Sequence, residues 1–321
     1  MSSTTSLDVV LPIGRTSVAV SRPVADRAAC RDDSRTLVAI GLIVASTLAF
    51  ALSDIAAKLL QTAAGADRIT WWRYCVYFLS VVPFAVGREG RALLRPRAPG
   101  LQTLRALGAI GATLFFVYSL AFLQIPEATA ITFVSPIFIM ALSIVFLGEV
   151  VGIRRWAAAA VSFVGVLIIV QPGTAGFSLA ALLPIASAIS GAIATVATRR
   201  LLADSAETTM AWTATIGIVI CTLVALPHAS LPSLYEVTYG VATGVGFAVG
   251  QLLIVTAYRM APVSILAPFS YVQMLSAGFL SLAVFGVLPT VPTLIGSAMI
   301  AACGVYSAHR ERRRVAAKTN G

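Results

Sequence analysis

Apolar residues along this chain fall into blocks of about twenty, separated by short polar or proline-bearing breaks. A bilayer core of about 30 Å takes roughly twenty residues of helix. Windows of that length lie near 37–60, 68–87, 103–123, 128–147, 154–171, 178–198, 208–227, 237–257, 263–286 and 291–309. The connections carry helix-breaking residues: Arg-Pro-Arg at 95–97, Gln-Pro-Gly at 171–173, and Leu-Pro at 226–227 and 231–232. Two divisions, at 123–128 and 257–263, are marked only by short turns bearing Pro126 and Pro262. Merging across both would leave eight helices, each merged one over 40 residues and too long for a single bilayer. The pattern therefore predicts an all-α integral membrane protein with ten transmembrane helices.

Composition agrees. Of 321 residues, 58% are apolar and 11% charged, against roughly 45–50% and 25% in soluble domains. The four cysteines, Cys30, Cys75, Cys221 and Cys303, lie far apart without a CxxC, and the two histidines are His228 and His309. Neither a disulfide scaffold nor a zinc site follows from them, and no metal or cofactor is expected. Residues 1–36 are rich in Ser, Thr, Arg and Asp. Their apolar run Leu7–Val10 is too short for a secretory signal core. They are expected to form a disordered cytoplasmic tail with Arg15, Arg22, Arg27, Arg31 and Arg35 at the inner membrane surface, unless translation starts further downstream. Residues 310–321 form a second basic tail.

The net charge of +10 is read from where the charges fall. With the N-terminus in the cytoplasm, the inner segments are the tail, 88–105, 148–155, 199–207, 258–262 and the C-terminal tail. They hold twenty of the 23 Lys and Arg. The other three, Lys58, Arg68 and Arg73, surround the first outer connection. This positive-inside pattern places both termini in the cytoplasm. It also argues against nucleic-acid binding, because the basic residues lie at helix ends beside anionic lipid.

The ten windows read as five written twice. Ala121–Phe133 (AFLQIPEATAITF) aligns with Ala257–Phe269 (AYRMAPVSILAPF), pairing Pro126 with Pro262. Leu147-Gly148 then aligns with Phe285-Gly286, and Gly165-Val166 with Gly304-Val305, at spacings of 136–139 residues. Five is odd, so the second copy inserts upside down. The expected units are repeat 1 at 37–171 and repeat 2 at 178–309. Inverted repeats of this kind underlie alternating-access carriers, with the substrate near the midplane.

The five-plus-five repeat, FLGE at 146–149 followed by basic residues, and GVLIIVQPG at 165–173 resemble the EamA domain of the drug/metabolite transporter superfamily. The resemblance covers about residues 37–309. The runs YSLAFLQIPEATAITFVSP (Tyr118–Pro136) and LAPFSYVQ (Leu266–Gln273) are similar to a bacterial branch. That branch includes riboflavin importers and S-adenosylmethionine uptake proteins. The resemblance implies carriage of a small metabolite across the bacterial inner membrane, with riboflavin uptake the narrowest expectation. S-adenosylmethionine uptake and export of an amino-acid-like metabolite are the alternatives. Where the family's second copy often has Gly-Glu, this chain has Gly286-Val287, which separates it from Gly148-Glu149.

Ionised side chains inside a bilayer are costly and mark a site by default. Asp54 and Lys58 lie four apart on the first helix, on one face and within pairing range. Arg73 follows Trp71-Trp72 near the start of the second helix, where it is either an interfacial anchor or a site residue. Glu127 opens the fourth helix, as a dipole partner or a site residue. Glu149 with Arg154 and Arg155 reads as a structural salt bridge or inner gate, and Arg259 as a topology charge. Tyr118, Thr132, Ser135, Trp212, Gln251, Tyr258, Tyr271 and Gln273 are neutral candidates for a flat ligand, against the ordinary alternatives of packing and backbone bonding. Pro136 and Pro268 interrupt the fourth and ninth helices and free backbone groups to line a cavity. The small-residue runs Ala157–Ala160, Gly191–Ala194 and Gly240–Gly250 are expected to be packing faces.

Absent motifs narrow the classes. There is no Walker loop for ATP drive and no aqueous catalytic constellation. A channel would need a filter built by oligomeric symmetry. A secondary carrier is the expected class; a non-transporting membrane enzyme or assembly factor is the alternative. The expected partners are a small-molecule substrate and lipid. A second copy of the chain is the one protein partner left open.

Overall fold

A computed structural model describes residues 24–90, 96–148, 153–171, 178–201, 204–228, 231–260 and 266–319. Among these residues every regular element is a helix: α1 (Val24–Leu60), α2 (Ala66–Glu89), α3 (Pro99–Ser119), α4 (Ile125–Thr132), α5 (Ser135–Leu147), α6 (Ile153–Val170), α7 (Leu182–Arg200), α8 (Ala206–Ala225), α9 (Leu234–Met260), α10 (Val272–Phe285) and α11 (Val291–Thr319), with short 3-10 turns between some of them. Seven helical stretches are long and apolar enough to cross a membrane. They are Arg35–Leu60, Ala66–Glu89, Pro99–Ser119, Ile125–Leu147, Leu179–Arg200, Ala206–Ala225 and Leu234–Met260. The windows at 154–171, 263–286 and 291–309 hold shorter apolar helices, Ala159–Val170, Phe269–Phe285 and Val291–Cys303.

The ends differ from the sequence expectation. α1 begins at Val24 and α11 continues to Thr319, so helix runs into both segments read as tails. Propensity is compatible with this: Ala, Arg, Glu and Lys make up eight of the ten residues of 310–319, Ala and Arg recur in 24–36, and neither segment holds a Gly or Pro to break a helix. α3 ends at Ser119 rather than 123, with a turn before Gln124, and Pro126 occupies the first turn of α4, where its missing N–H costs nothing.

The proline at 136 interrupts its span as expected. α4 stops at Thr132 and α5 restarts at Ser135, two residues joined only through turn hydrogen bonds at Phe133 and Val134. In the second half a 3-10 segment, Ala267–Tyr271, leads into α10 at the corresponding place. Both spans close on a left-handed glycine, Gly148 at φ 66° and Gly286 at φ 67°. A side chain there would be strained, which explains why the glycine recurs where the following glutamate does not.

Helix pairing has a two-fold pattern. Count α4–α5 as one span, and the 3-10 segment with α10 as another. α1 packs on α9 as α3 packs on α7; α2 on α9 as α3 on α8; α10 on α1 as α5 on α7. α2–α8, α6–α11 and α4–α10 pair with each other directly. These pairs correspond when the first five spans are exchanged for the second five, whereas α2 also packs on α3 without an equally extensive α8–α9 counterpart among the described residues. Glycines set the close crossings. A Cβ on Gly296 would lie 2.4 Å from the Gly165 carbonyl oxygen between α11 and α6. One on Gly108 would lie 2.7 Å from the Ser190 carbonyl between α3 and α7. The run at 240–250 is likewise a packing face; of the 157–160 run, Ala157 and Ala160 are exposed and Ala159 is half-buried.

Large apolar side chains point outward, as lipid contact requires: Val145 is 75% exposed and Phe279 72%. The interior is rich in Ala, Ser and Thr instead. Small residues let membrane helices approach closely without the hydrophobic driving force of water.

Candidate functional site

The glycine run of α9 builds the centre. Gly240 and Gly244 lie against Trp72 and Val76 of α2, and Gly246 and Gly250 against Ala49 and Phe50 of α1. This seating brings α1, α2 and α9 together at one level. There Asp54, Arg73 and Thr243 meet in the interior, 5%, 3% and 0% exposed. Arg73 donates from Nη2 to Asp54 Oδ1 at 2.8 Å and from Nε to Thr243 Oγ1 at 2.9 Å. Ser53 Oγ donates to the Thr243 carbonyl at 2.7 Å, and Thr243 Oγ1 donates to the Ser53 carbonyl at 2.9 Å. The guanidinium carbon lies 5.8 Å from the centre of the Phe247 ring, a cation–π distance. Phe247 in turn packs edge-on against Phe50 and Tyr77 and at a tilt against Tyr74.

This corrects the sequence reading of the first helix. The partner of Asp54 is Arg73, and Lys58 pairs with no carboxylate within ion-pair distance among the described residues. The four-residue spacing made Asp54–Lys58 pairing feasible, but a buried carboxylate gains more from a planar guanidinium held by a third group. Lys58 instead donates to the carbonyls of Leu120 and Leu123 at 2.5 and 2.7 Å. With Gln61 donating to the Val117 carbonyl, it fastens α1 to carbonyls of the last turn of α3 and of the turn that follows. Arg73 is no interfacial anchor either, since it is buried. The three cations that break the positive-inside rule are all engaged: Lys58 by carbonyls, Arg73 by Asp54, and Arg68 by Glu236 at 2.6 Å.

The remaining candidates disperse. Gln251 continues the Thr243–Phe247 line on α9 at four-residue spacing and is half-buried. Tyr271 stacks on Phe133 at 5.0 Å, joining the two interrupted spans; Gln273 is half-buried two residues on. Tyr258 is 39% exposed near the C-terminal end of α9. Thr132 donates to its own helix at the Ala128 carbonyl. Tyr118 is about one-third exposed beyond the α3 face. Trp212 is half-buried on α8. Glu127 lines a separate small cavity with Ser281. Arg259 does more than mark topology: it holds Glu207 through two hydrogen bonds, at 2.9 and 2.5 Å, and Arg88 approaches the same carboxylate at 3.4 Å. Glu149 and Pro262 lie outside the described residues, as do the side chains of Arg154, Arg155 and Pro268.

Sequence reasoning missed Ser53, Thr243, Phe247, Tyr74 and Tyr77. Thr243 and Phe247 lie inside the run read only as a packing face; their spacing of four, opposite an intramembrane Arg, was the available signal. Arg105 was counted as an inner-surface charge. It reaches back between helices to Thr198 Oγ1 at 3.0 Å, to the Thr209 carbonyl and to Thr213.

Arg73 and Asp54 each have a polar atom left over. Arg73 Nη1 and Asp54 Oδ2 have no hydrogen-bond partner among the described residues. A donor and an acceptor side by side, backed by aromatic rings, suit the edge of a planar heterocycle that offers a carbonyl beside an N–H.

Comparison with known proteins adds the following. Residues 37–171 match the EamA-like transporter family. A riboflavin transporter of Rhizobium johnstonii is 30% identical, covering 88% of this chain and 95% of that protein. A riboflavin transporter of Vibrio cholerae is 28% identical over 79% of this chain and 87% of its own length. An S-adenosylmethionine uptake transporter of Rickettsia bellii is 23% identical over 88% and 97%. A solved structure 22% identical superposes with a TM-score of 0.56, covering 87% of this chain and 98% of that one.

Proposed function

The chain belongs to the EamA-like transporter family, and on that premise we propose that it takes up riboflavin by alternating access of two inverted five-helix halves. The protein is a multi-pass transporter of a small metabolite in the bacterial inner membrane, in a family of transporters rather than enzymes. The observation that carries the substrate assignment is the 30% identity to a riboflavin transporter across 88% of the chain.

The geometry supports the same reading. The isoalloxazine ring is flat and presents an imide, a carbonyl–N–H–carbonyl edge. Arg73 Nη1 donates to such a carbonyl and Asp54 Oδ2 accepts from the N–H, while Phe247 and its aromatic neighbours offer faces for the ring. Gln251, further along the same face of α9, reaches the ribityl hydroxyls or the ring's second carbonyl. Tyr271, Gln273, Trp212, Tyr118, Thr132 and Tyr258 belong to the proposal as outer contacts along the path. Lys58 belongs to it through the α3 end that it holds. The two-fold pattern of helix pairing supports the inverted arrangement, and the interrupted spans α4–α5 and the 3-10 segment with α10 supply the elements that rock.

A riboflavin-requiring strain supplied with scarce vitamin tests this directly. The gene should restore growth, and Asp54→Asn should abolish the rescue while the protein still reaches the membrane. Continued starvation with the wild-type gene expressed and inserted would discard the vitamin. The second reading, S-adenosylmethionine uptake, follows from the relatives so named. It predicts accumulation of the labelled sulfonium compound in proteoliposomes with no competition by riboflavin.

A further inference from the structure

A small cavity of about 50 Å³ lies away from the Asp54–Arg73 centre, between the start of α4 and the turn joining α10 to α11. Its walls come from both halves of the chain. Gln124 and Glu127 belong to the first; Ser281, Thr290 and Thr293 belong to the second. Every polar lining group carries an oxygen, and none is a cation. Glu127 is half-buried and has no salt-bridge partner within 4 Å among the described residues. Ser281 is fully buried, and its Oγ has no hydrogen-bond partner. Thr290 and Thr293 are bonded to each other at 2.9 Å, which keeps their hydroxyls on one side of the turn.

An unsatisfied buried hydroxyl costs about 1–3 kcal/mol unless something in the cavity meets it. The space holds one or two waters, or one ion. The polar lining is five oxygen-bearing side chains with a single carboxylate, set among Pro126, Val287, Leu288 and Pro289; such a set suits a hard cation of charge +1, since divalent sites usually gather more than one carboxylate. Lys58 lies within electrostatic range of Glu127, but its ammonium is held by the Leu120 and Leu123 carbonyls and does not line the cavity.

We infer that this cavity is a sodium site that bridges the two halves, with Glu127 supplying the charge and Ser281 the innermost oxygen. Sodium bound there ties α4 to the α10–α11 turn and favours the arrangement in which they touch. Only this consequence for coupling rests on the carrier reading; ion binding does not.

Purified full-length protein in detergent is tested with radiolabelled sodium alone. One ion should bind per chain, with potassium at equal concentration failing to displace it. Glu127→Gln should abolish binding and Ser281→Ala should weaken it about tenfold, the loss of one coordinating oxygen being comparable to the loss of one polar contact to a charged group. Because Ser281→Ala removes only an unpartnered oxygen, it also covers the case in which Glu127→Gln fails to fold. No saturable sodium binding, or binding untouched by Ser281→Ala, overturns the inference. In proteoliposomes, uptake of labelled riboflavin should rise when sodium replaces choline outside. Uptake driven equally by a proton gradient without sodium would overturn the coupling role. Sodium binding without riboflavin uptake would reject the vitamin and leave the ion site standing.

Discussion

Asp54→Asn tests the centre most directly, because it leaves the Arg73 guanidinium 3% exposed with no neutralising charge. At an effective dielectric of about 20, two unit charges at 2.8 Å attract by about 6 kcal/mol before desolvation is subtracted. Removing one partner of a buried pair typically costs about 3–5 kcal/mol. Asn keeps an acceptor oxygen for Nη2, which returns about 1 kcal/mol. The expected loss is therefore about 3 kcal/mol, the middle of what remains. The double variant Asp54→Leu with Arg73→Met removes both charges and fills similar space. It should lie within about 1–2 kcal/mol of wild type, helped by Thr243, whose hydroxyl still donates to the Ser53 carbonyl.

Equilibrium unfolding by sodium dodecyl sulfate in mixed micelles measures the stabilities, and labelled riboflavin uptake in proteoliposomes measures function. Asp54→Asn should be destabilised and inactive; the double variant should be stable and inactive. That separation distinguishes a pair kept for recognition from one kept for folding. Asp54→Asn with wild-type stability would show that water reaches the pair and would refute the desolvation argument. A stable double variant that transports at the wild-type rate would remove the pair from the substrate site.

Three further substitutions probe the frame around it. Gly244→Ala places a Cβ 2.6 Å from Val76 and 2.9 Å from the Trp72 carbonyl oxygen. The backbone contact cannot rotate away, so a loss of about 1–3 kcal/mol is expected, whereas Gly41→Ala, with nothing within 4 Å, should be neutral in the same unfolding assay. Lys58→Met strips the Leu120 and Leu123 carbonyls of their donor and should cost about 1–3 kcal/mol per unmet group not rescued by water; proteolysis of the 120–124 turn should accelerate. Arg259→Gln breaks an ion pair whose arginine is 47% exposed. It should change stability by less than about 1 kcal/mol, and less still at high salt.

The hydrophobic pattern made the spans legible because lipid admits few alternatives to helix. It also located the interruption at Pro136, since a proline after a short helical run removes a donor and crowds the preceding turn. The partner of Asp54 was not legible. Spacing along one helix suggests i,i+4 pairs, whereas the true contact is between α1 and α2 and is fixed by how closely α9 lets them approach. That approach depends on Gly244 and Gly246, which in the sequence are only small residues in an apolar run. Lys58 illustrates the same gap. A cation four residues from an acid invites pairing, but the carbonyls at the end of α3 form a competing anionic-like target that no one-dimensional pattern displays.

Packing and chemistry follow different symmetries in this molecule. The principal helix pairs survive exchange of the first five spans for the second five, yet Asp54, Lys58 and Arg73 all belong to the first five. Between Leu182 and Thr198, between Thr208 and Ala225, and between Val237 and Tyr258 there is no charged residue at all. The second half meets the ion pair with a hydroxyl, Thr243, and a ring, Phe247. In the proposed cycle, a substrate held between them would keep its polar edge toward α1 and α2 and its flat face toward α9. Under the proposed alternating access, the two end states that inversion would make equal would then be unequal in energy, because exchanging the halves does not exchange the charges. In that proposed cycle the asymmetry would let one direction of opening be preferred at rest without breaking the match of helix to helix that both states need.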